Sequence, residues 1–492
     1  MRTITLFFVG LFLVVAVTMA GSAAYEKFPI TKSTQAYTSH APISITGDVA
    51  LAELVTTEGW EGEGTAEDPF IVRLLWIVTV DGTPTIKLQN INSHVLIEYN
   101  KFEETVSNSA YGIELVNCSN LNINHNIFLT YNSIYSHEGG ENINITNNQL
   151  VSKYYGIIMI GVNIITVQGN SFQKAFGSMS EVLGLLVISC KNHIITNNTF
   201  RGIRLSFHQS HSILFHNNTI EYCSDASGYT AELQYTSDIN ISHNVFQHNS
   251  NAALSLLASN TTTITKNIFN NNSAFALSLY AITNMIYQNS FIDNGASTSS
   301  HQVTTGVGGN LWSLDGVGNY WSDYDESGKY QIFSPDSSVL VYDEHPLELP
   351  VDIYKPSVVS YDTDFNVTTS QMPFRINWTV SDENPTSCDV YNGTAFVETI
   401  TWEGGLGFYE VLGLVEGEYS FKFVFKDKDG NSASFTSHFY IEEAKADLPF
   451  DLDTEQMIEY APYIAGGVIG LGVVLIVLKK VLFRSPKPKK KK

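Results

Sequence analysis

Charge is scarce in this sequence, and lopsided where it occurs. Only 15% of the 492 residues are charged, and 49 acidic side chains outnumber 27 basic ones for a formal charge of −22. Phosphate binding needs a clustered basic surface, so DNA and RNA are not expected partners. Cysteine is sparse too: Cys118, Cys190, Cys223 and Cys388 are widely spaced and form no CxxC pair. That spacing supports neither a zinc module nor a disulfide scaffold and leaves the fold to packing. With 43% hydrophobic residues, 35 glycines and 14 prolines, the chain is neither disordered nor collagen-like, and its length suits about three domains.

The two ends carry most of what is unusual in composition. Met1 and Arg2, an apolar run from Leu6 to Ala20 and the small residues Gly21 to Ala24 follow the order of a secretory signal peptide. Tyr460 to Leu478 is 19 residues without a charge, long enough to cross a bilayer about 30 Å thick. Eight basic residues follow it and no acid does, which places this end in the cytoplasm. Without Arg2 and that tail, 18 basic residues face 49 acidic ones, so the exported part has a charge of −31.

Between these ends, residues 90–315 repeat a short template of apolar, x, apolar, x, x, Asn, x, large apolar. Leu121-Asn-Ile123-Asn-His-Asn126-Ile-Phe128 returns as Ile143-Asn-Ile145-Thr-Asn-Asn148-Gln-Leu150 and as Ile239-Asn-Ile241-Ser-His-Asn244-Val-Phe246. The template asparagines are Asn100, Asn126, Asn148, Asn170, Asn198, Asn218, Asn244, Asn267, Asn289 and Asn310, with a mean spacing near 23 residues. Alternation of apolar residues inside each unit means short strands, and such a period means one solenoid turn per unit. Ile, Val, Phe and Asn dominate rather than Leu, and no helical stripe links the strands, which favours a right-handed parallel β-helix over a leucine-rich repeat. Stacked coils would place successive asparagines about 4.8 Å apart in an amide ladder, and ten coils make a rod of about 48 Å.

Two segments flank the repeats. Gly59-Trp-Glu-Gly62-Glu-Gly64-Thr-Ala-Glu-Asp68-Pro69-Phe70 precedes them, and Gly318-Asn-Tyr-Trp321-Ser-Asp323-Tyr-Asp325 with Asp343-Glu-His-Pro346-Leu347 follows. With the asparagine repeats they resemble the NosD-type β-helix family, which includes many archaeal surface proteins. The resemblance spans about residues 43–350. It implies a carbohydrate-associated β-helix, under a copper-related name taken from proteins linked to nitrous oxide reductase maturation. Copper capture wants imidazole or soft donors gathered together. Met159, Met179 and Met285 are scattered, and His125 and His243 are separated by four ladder positions, so copper is not expected.

From 354 to 443 the texture changes to alternating strands with turn punctuation, as in Ile376-Asn-Trp378-Thr-Val380 and Tyr419-Ser-Phe421-Lys-Phe423-Val-Phe425. About ninety such residues suit a β-sandwich, and the run from Leu414 to Asn431 is similar to Ig-like or fibronectin III-like surface modules. The expected organisation is all-β: signal peptide 1–24, N-terminal cap 25–89, β-helix 90–315, C-terminal cap 316–353, Ig-like β-sandwich 354–443, linker 444–459, membrane helix 460–478 and cytoplasmic basic tail 479–492.

Aligning coils on Asn218 and Asn244 sets Ser206 beside Glu232 and His208 beside Gln234, with Arg204 at the start of the strand and Tyr235 just past it. An acid, an imidazole and a guanidinium on one exposed sheet could hold a sugar or take a proton from a uronate. A glycosidase needs a second carboxyl, which no adjacent coil supplies. No cofactor is required. Calcium has a weak candidate in Asp323 and Asp325, although Ser334 stands where an EF-hand needs a bidentate Glu. Sequons occur at Asn117, Asn144, Asn197, Asn217, Asn240, Asn260, Asn271, Asn366, Asn377 and Asn392, so glycosylation is permitted. Gly466 and Gly470 have the small-xxx-small spacing of a helix dimer.

The expectation is a single-pass surface protein, anchored in the cell membrane with its ectodomain outside, that acts as a binding or scaffold module contacting glycans or envelope components. An anchored polysaccharide lyase or glycoside hydrolase is the alternative from the enzyme class. An accessory protein for copper metalloenzyme maturation is the third.

Overall fold

In the computed structural model the described residues are 36–444, apart from 81, 106–109, 176–181, 225–227, 298–300 and 337–338. The signal peptide, the linker beyond 444, the membrane helix with Gly466 and Gly470, and the basic tail lie outside them. Among the described residues no helix is long and apolar enough to cross a membrane. The chain divides into two compact units, the first ending at Ile353 and the second beginning at Tyr354.

The first unit is a parallel β-solenoid of about ten turns with three faces. Face 1 is a 10-stranded parallel sheet running from Phe70–Arg73 to Met285–Tyr287. Faces 2 and 3 join in a 21-stranded assembly, because strands such as Ile127–His137 and Gln149–Ile160 run across the corner between them. Along every strand one set of side chains points into the coil. The face 2 interior stacks Phe172 on Phe200, Phe246 on Phe269, Phe269 on Phe291 and Phe291 on Trp321, with ring centres 4.4 to 5.1 Å apart.

The corner from face 1 to face 2 explains the template. Each turn uses one residue in the left-handed region, including Tyr99, His125, Asn147, Asn197, Asn217 and His243 at φ between 53° and 58°. Left-handed backbone costs a non-glycine residue about 1 kcal/mol or more, and the asparagine that follows offsets that cost. Asn148 Nδ2 donates to Asn170 Oδ1 at 3.0 Å and to Ile123 O at 2.8 Å, while its backbone N–H donates to the same Asn170 Oδ1 at 2.9 Å. Equivalent bonds link Asn100, Asn126, Asn148, Asn170, Asn198, Asn218, Asn244, Asn267 and Asn289.

The spacing placed Asn310 in this ladder, and here the structure corrects it. Asn289 Nδ2 donates to Asn319 Oδ1 at 2.9 Å, so Asn319 is the last rung. Asn310 belongs to a second stack at the start of face 1, where its Oδ1 accepts from Asn284 N–H at 3.1 Å. Both stacks repeat with the coil, and only their corner tells them apart.

Three cysteines fill such corners. Cys118 and Cys190 direct their thiols at Leu88 O (3.3 Å) and Ile188 O (3.1 Å), and Cys223 N–H donates to Asn249 Oδ1. All four cysteines are buried and none is in a disulfide. Burial pushes the Cys118 and Cys190 thiols up, and Cys388 up to about 12.

Both flanking motifs close the rod. The helix Asp48–Glu58 puts Leu51 and Val55 into the solenoid core. Gly62, at φ 100°, lies where a Cβ would collide with Pro69 O. At the other end Asp343 Oδ2 accepts from Asn319 N–H (2.7 Å) and Trp321 Nε1 (3.0 Å), ending the ladder on a carboxylate. Burial pushes that carboxyl up against the pull of its donors. A Cβ on Gly318 would strike it.

The second unit packs a three-stranded sheet (Ser357–Tyr361, Phe374–Ser381, Gly405–Val411) against a five-stranded one. Its core sets Trp378 among Phe423, Phe425 and Phe435. Tyr419 OH donates to Val415 O at 3.2 Å, and Asn431 caps Asp427 in a turn.

Two expected outcomes follow from the core. Asn170→Ala removes the acceptor of the buried Asn148 N–H and a donor to Ile145 O and lowers unfolding free energy by about 2–4 kcal/mol in urea titration. The same change at half-buried Asn310 costs less than half as much.

His193 lies inside the coil at 1% exposure, its Nδ1 accepting from Ile165 N–H (3.1 Å) while Nε2 has no partner. Burial pushes it down to about 4. The unfolded chain therefore binds more protons between about pH 6.5 and 4, so stability is complete above that window and falls as pH drops through it. The loss is on the order of 3 kcal/mol. His193→Asn keeps an acceptor for Ile165 and should reduce the loss between pH 7 and 4.5; an unchanged slope would reject the assignment.

Candidate functional site

Face 3 is where chemistry-bearing side chains leave the coil in register. Its central outward row reads Lys87, Glu114, Tyr135, Ile158, Leu186, Ser206, Glu232, Ser255, Ser278 and Thr304, one residue per coil. Coil stacking fixes their spacing at about 4.8 Å. The row is polar at both ends and apolar at Ile158 and Leu186; Ile158, Ser206, Ser255, Ser278 and Thr304 are buried, while Lys87, Glu114, Tyr135, Leu186 and Glu232 are partly exposed.

The patch expected from the sequence lies in the C-terminal half of this row. Ser206 pairs with Glu232 and His208 with Gln234 across adjacent strands. Arg204 Nη2 is 3.9 Å from Glu232 Oε2, and Arg204 Nε donates to Tyr229 O at 2.9 Å. His208 Nε2 is 2.7 Å from Ser206 Oγ. Tyr235 takes the left-handed corner position after the strand, 60% exposed and off the face proper. Serines occupy the row on both sides of Glu232, so no second carboxylate adjoins it there. The set can donate and accept hydrogen bonds to hydroxyls, and it lacks the paired carboxyls of a glycosidase.

A second cluster in the N-terminal coils was missed. Glu114 holds Lys87 Nζ at 3.1 Å and His137 Nε2 at 3.3 Å, with only 13% of its side chain exposed. The His137 ring stacks on Tyr135 at 4.2 Å, and Tyr135 on Tyr111 at 4.8 Å. Burial, with the Glu114 charge added, pushes both tyrosine hydroxyls up. The signal was present: Ile86-Lys-Leu88, Ile113-Glu-Leu115 and Ile134-Tyr-Ser136 share the frame of Ala231-Glu-Leu233. Unequal loops between faces 2 and 3 hide that frame when coils are aligned on asparagines alone.

The metal candidates have other partners. Asp323 accepts from Gln302 Nε2 (2.6 Å) and Tyr330 OH (3.1 Å), and Asp325 accepts from the backbone and hydroxyl of Ser327. They serve as hydrogen-bond acceptors in the C-terminal cap. For copper, His216 and His243 bring their ring centres to 4.8 Å. Burial and the charges of His216 and Lys266 push His243 down to about 4, and a cation beside the pair opposes a metal ion. Among the described residues of the coils, no three His, Cys, Asp or Glu donors come within 4.8 Å of one another. These residues do not fit a copper site.

The solenoid sequons avoid face 3. Asn117, Asn197, Asn217 and Asn271 occupy left-handed corner positions, Asn144 and Asn240 point outward from face 1, and Asn260 is bridged to Ser237 at the start of face 1. Asn366, Asn377 and Asn392 belong to the second unit.

A family profile described as "NosD: Periplasmic copper-binding protein (NosD)" matches residues 177–326. No curated protein matches the chain. Similar solved structures include the A-module of the Azotobacter vinelandii mannuronan C-5 epimerase AlgE6, 10% identical over 56% of this chain and 89% of that one, with a TM-score of 0.35. Tailspike protein 2 of the Escherichia coli O157:H7 bacteriophage CAB120 is 9% identical over 82% and 64%, with a TM-score of 0.28. The fibronectin(III)-like modules of Clostridium thermocellum CbhA are 11% identical over 18% and 99%, with a TM-score of 0.14. The parallel β-helix of this chain is thus similar to the NosD family over residues 177–326.

Proposed function

We propose that this is a membrane-anchored cell-surface protein whose β-helix binds glycans along face 3. In this reading the second unit is an Ig-like spacer, 460–478 is the single span, the basic tail lies in the cytoplasm, and Gly466 and Gly470 pair two spans. The observation that carries the proposal is on face 3, where the acid of Glu232, the imidazole of His208 and the guanidinium of Arg204 stand in fixed register around the buried hydroxyl of Ser206. A rigid sheet loses little entropy when it meets a repetitive ligand, and hydroxyl-rich ligands need closely set donors and acceptors. Glycans on the solenoid sequons would decorate the corners and face 1 and leave face 3 free.

The absence of a carboxylate beside Glu232 in the row favours binding over hydrolysis. On a glycan array the purified full-length chain should retain at least one class of sugar and release no reducing ends or unsaturated uronates. Glu232→Ala and His208→Ala should each weaken retention about tenfold, equivalent to about 1.4 kcal/mol, without a change in melting temperature. Product release that disappears in Glu232→Ala would make the protein an anchored lyase or hydrolase. Retention of no sugar at all would reject the glycan reading.

A further inference from the structure

We infer that two copies of this chain pair through face 1, rod beside rod in parallel, each coil against its own counterpart. The pairing is separate from what face 3 binds. Face 1 differs from the other faces in charge. Over eight consecutive coils, from Asn122 to Met285 and from Asn124 to Tyr287, its two outward rows hold no Asp, Glu, Lys or Arg. Burial pushes His216, which lies in one of these rows, below its ordinary range and keeps it neutral. Face 2 by contrast presents Lys101, Glu103 and Arg201, and face 3 presents Lys87, Glu114, Arg204 and Glu232.

Charge and area both select a second copy as the occupant. With a net charge of −22, two copies repel each other, and the repulsion is weakest where neither presents an acid. A partner recognised by its charge would find nothing to pair with on these rows. Asn, Thr, Gln and Ser side chains carry hydroxyls and amides that donate and accept, so they match their own copies across a two-fold axis. Strands of up to six residues stacked over these coils make a face of about 20 by 38 Å. Covering it buries about 760 Å² per copy, near the roughly 800 Å² that a stable interface takes from each partner. Ile194, 44% exposed, adjoins Leu214 on the two middle coils, and polar coils lie on either side. An apolar centre within a polar rim is the usual anatomy of a protein–protein interface.

The edges of the face set the direction. A two-fold axis along the rod lays the start of each strand against the end of its copy, so the Asp238 corner of one copy stands beside the His243 and Lys266 corner of the other. An axis across the rod at its centre would instead bring Lys191 against His211. Asn144 and Asn240 point outward from this face, and Asn144 Nδ2 already donates to Asn122 Oδ1 at 2.8 Å. A glycan on either would hold two copies apart, so the pairing is that of chains left unmodified at these two sequons.

The test is sedimentation of the full-length chain in detergent micelles, made in a host without N-glycosylation and carrying Gly466→Leu and Gly470→Leu so that the spans cannot pair. It should sediment as a dimer in the micromolar range. Leu214→Glu and Leu214→Lys should each raise the dissociation constant at least tenfold, and mixing the two variants should restore the dimer. Thr263→Cys, which meets its own copy in the parallel pair, should be joined by a short bismaleimide, because the native cysteines are buried.

A monomer at every concentration, a dimer indifferent to Leu214→Glu, or a dimer that leaves Thr263→Cys unjoined would overturn the inference. Matching melting temperatures for the variants separate loss of the interface from loss of the fold.

Discussion

The molecule depends on a side-chain amide that does the work of a backbone group. At each corner between faces 1 and 2 the chain turns on a single left-handed residue, and the amide of the following asparagine accepts two N–H donors from the coil before it. That bond satisfies groups the turn would otherwise bury unpaired, at a cost of about 1–3 kcal/mol each. It also sets the height of every coil. Since strand register decides which face a side chain occupies, the ladder indirectly holds the outward row of face 3 in line.

Much of this was legible in the sequence because the ladder leaves a compositional trace. The template around Asn126, Asn148, Asn170 and Asn244 marked strands, corner and interior aromatic position together. The trace failed at the C-terminal end. Asn289 and Asn319 are 30 residues apart, beyond the interval seen elsewhere, and Asn310 fell nearer the expected phase although it serves another corner. Period alone cannot assign a corner when two corners share it.

The candidate site was half legible for a related reason. Alignment on Asn218 and Asn244 found Ser206, His208, Glu232 and Gln234 because strand and corner lie close together in those coils. Lys87, Glu114, Tyr135 and His137 sit in coils whose loops differ in length, and their convergence depends on contacts between coils that no local spacing records. The cysteines are the opposite case: looked at for disulfides they carried no signal, whereas Cys118, Cys190 and Cys223 are corner residues in the company of serines and asparagines.

The ladder also has a direction and two distinct ends. In the rung-to-rung bonds each residue donates toward the C-terminus, from the Leu75 N–H that opens the series to the Asp343 carboxylate that closes it. Every internal rung is interchangeable with its neighbours, because each takes from one coil and gives to the next. Rod length is thus independent of the end structures, and whole coils can be gained or lost internally while both caps stay unchanged. A lineage of such proteins could vary the distance between features on face 3 in steps of about 4.8 Å without redesigning either one.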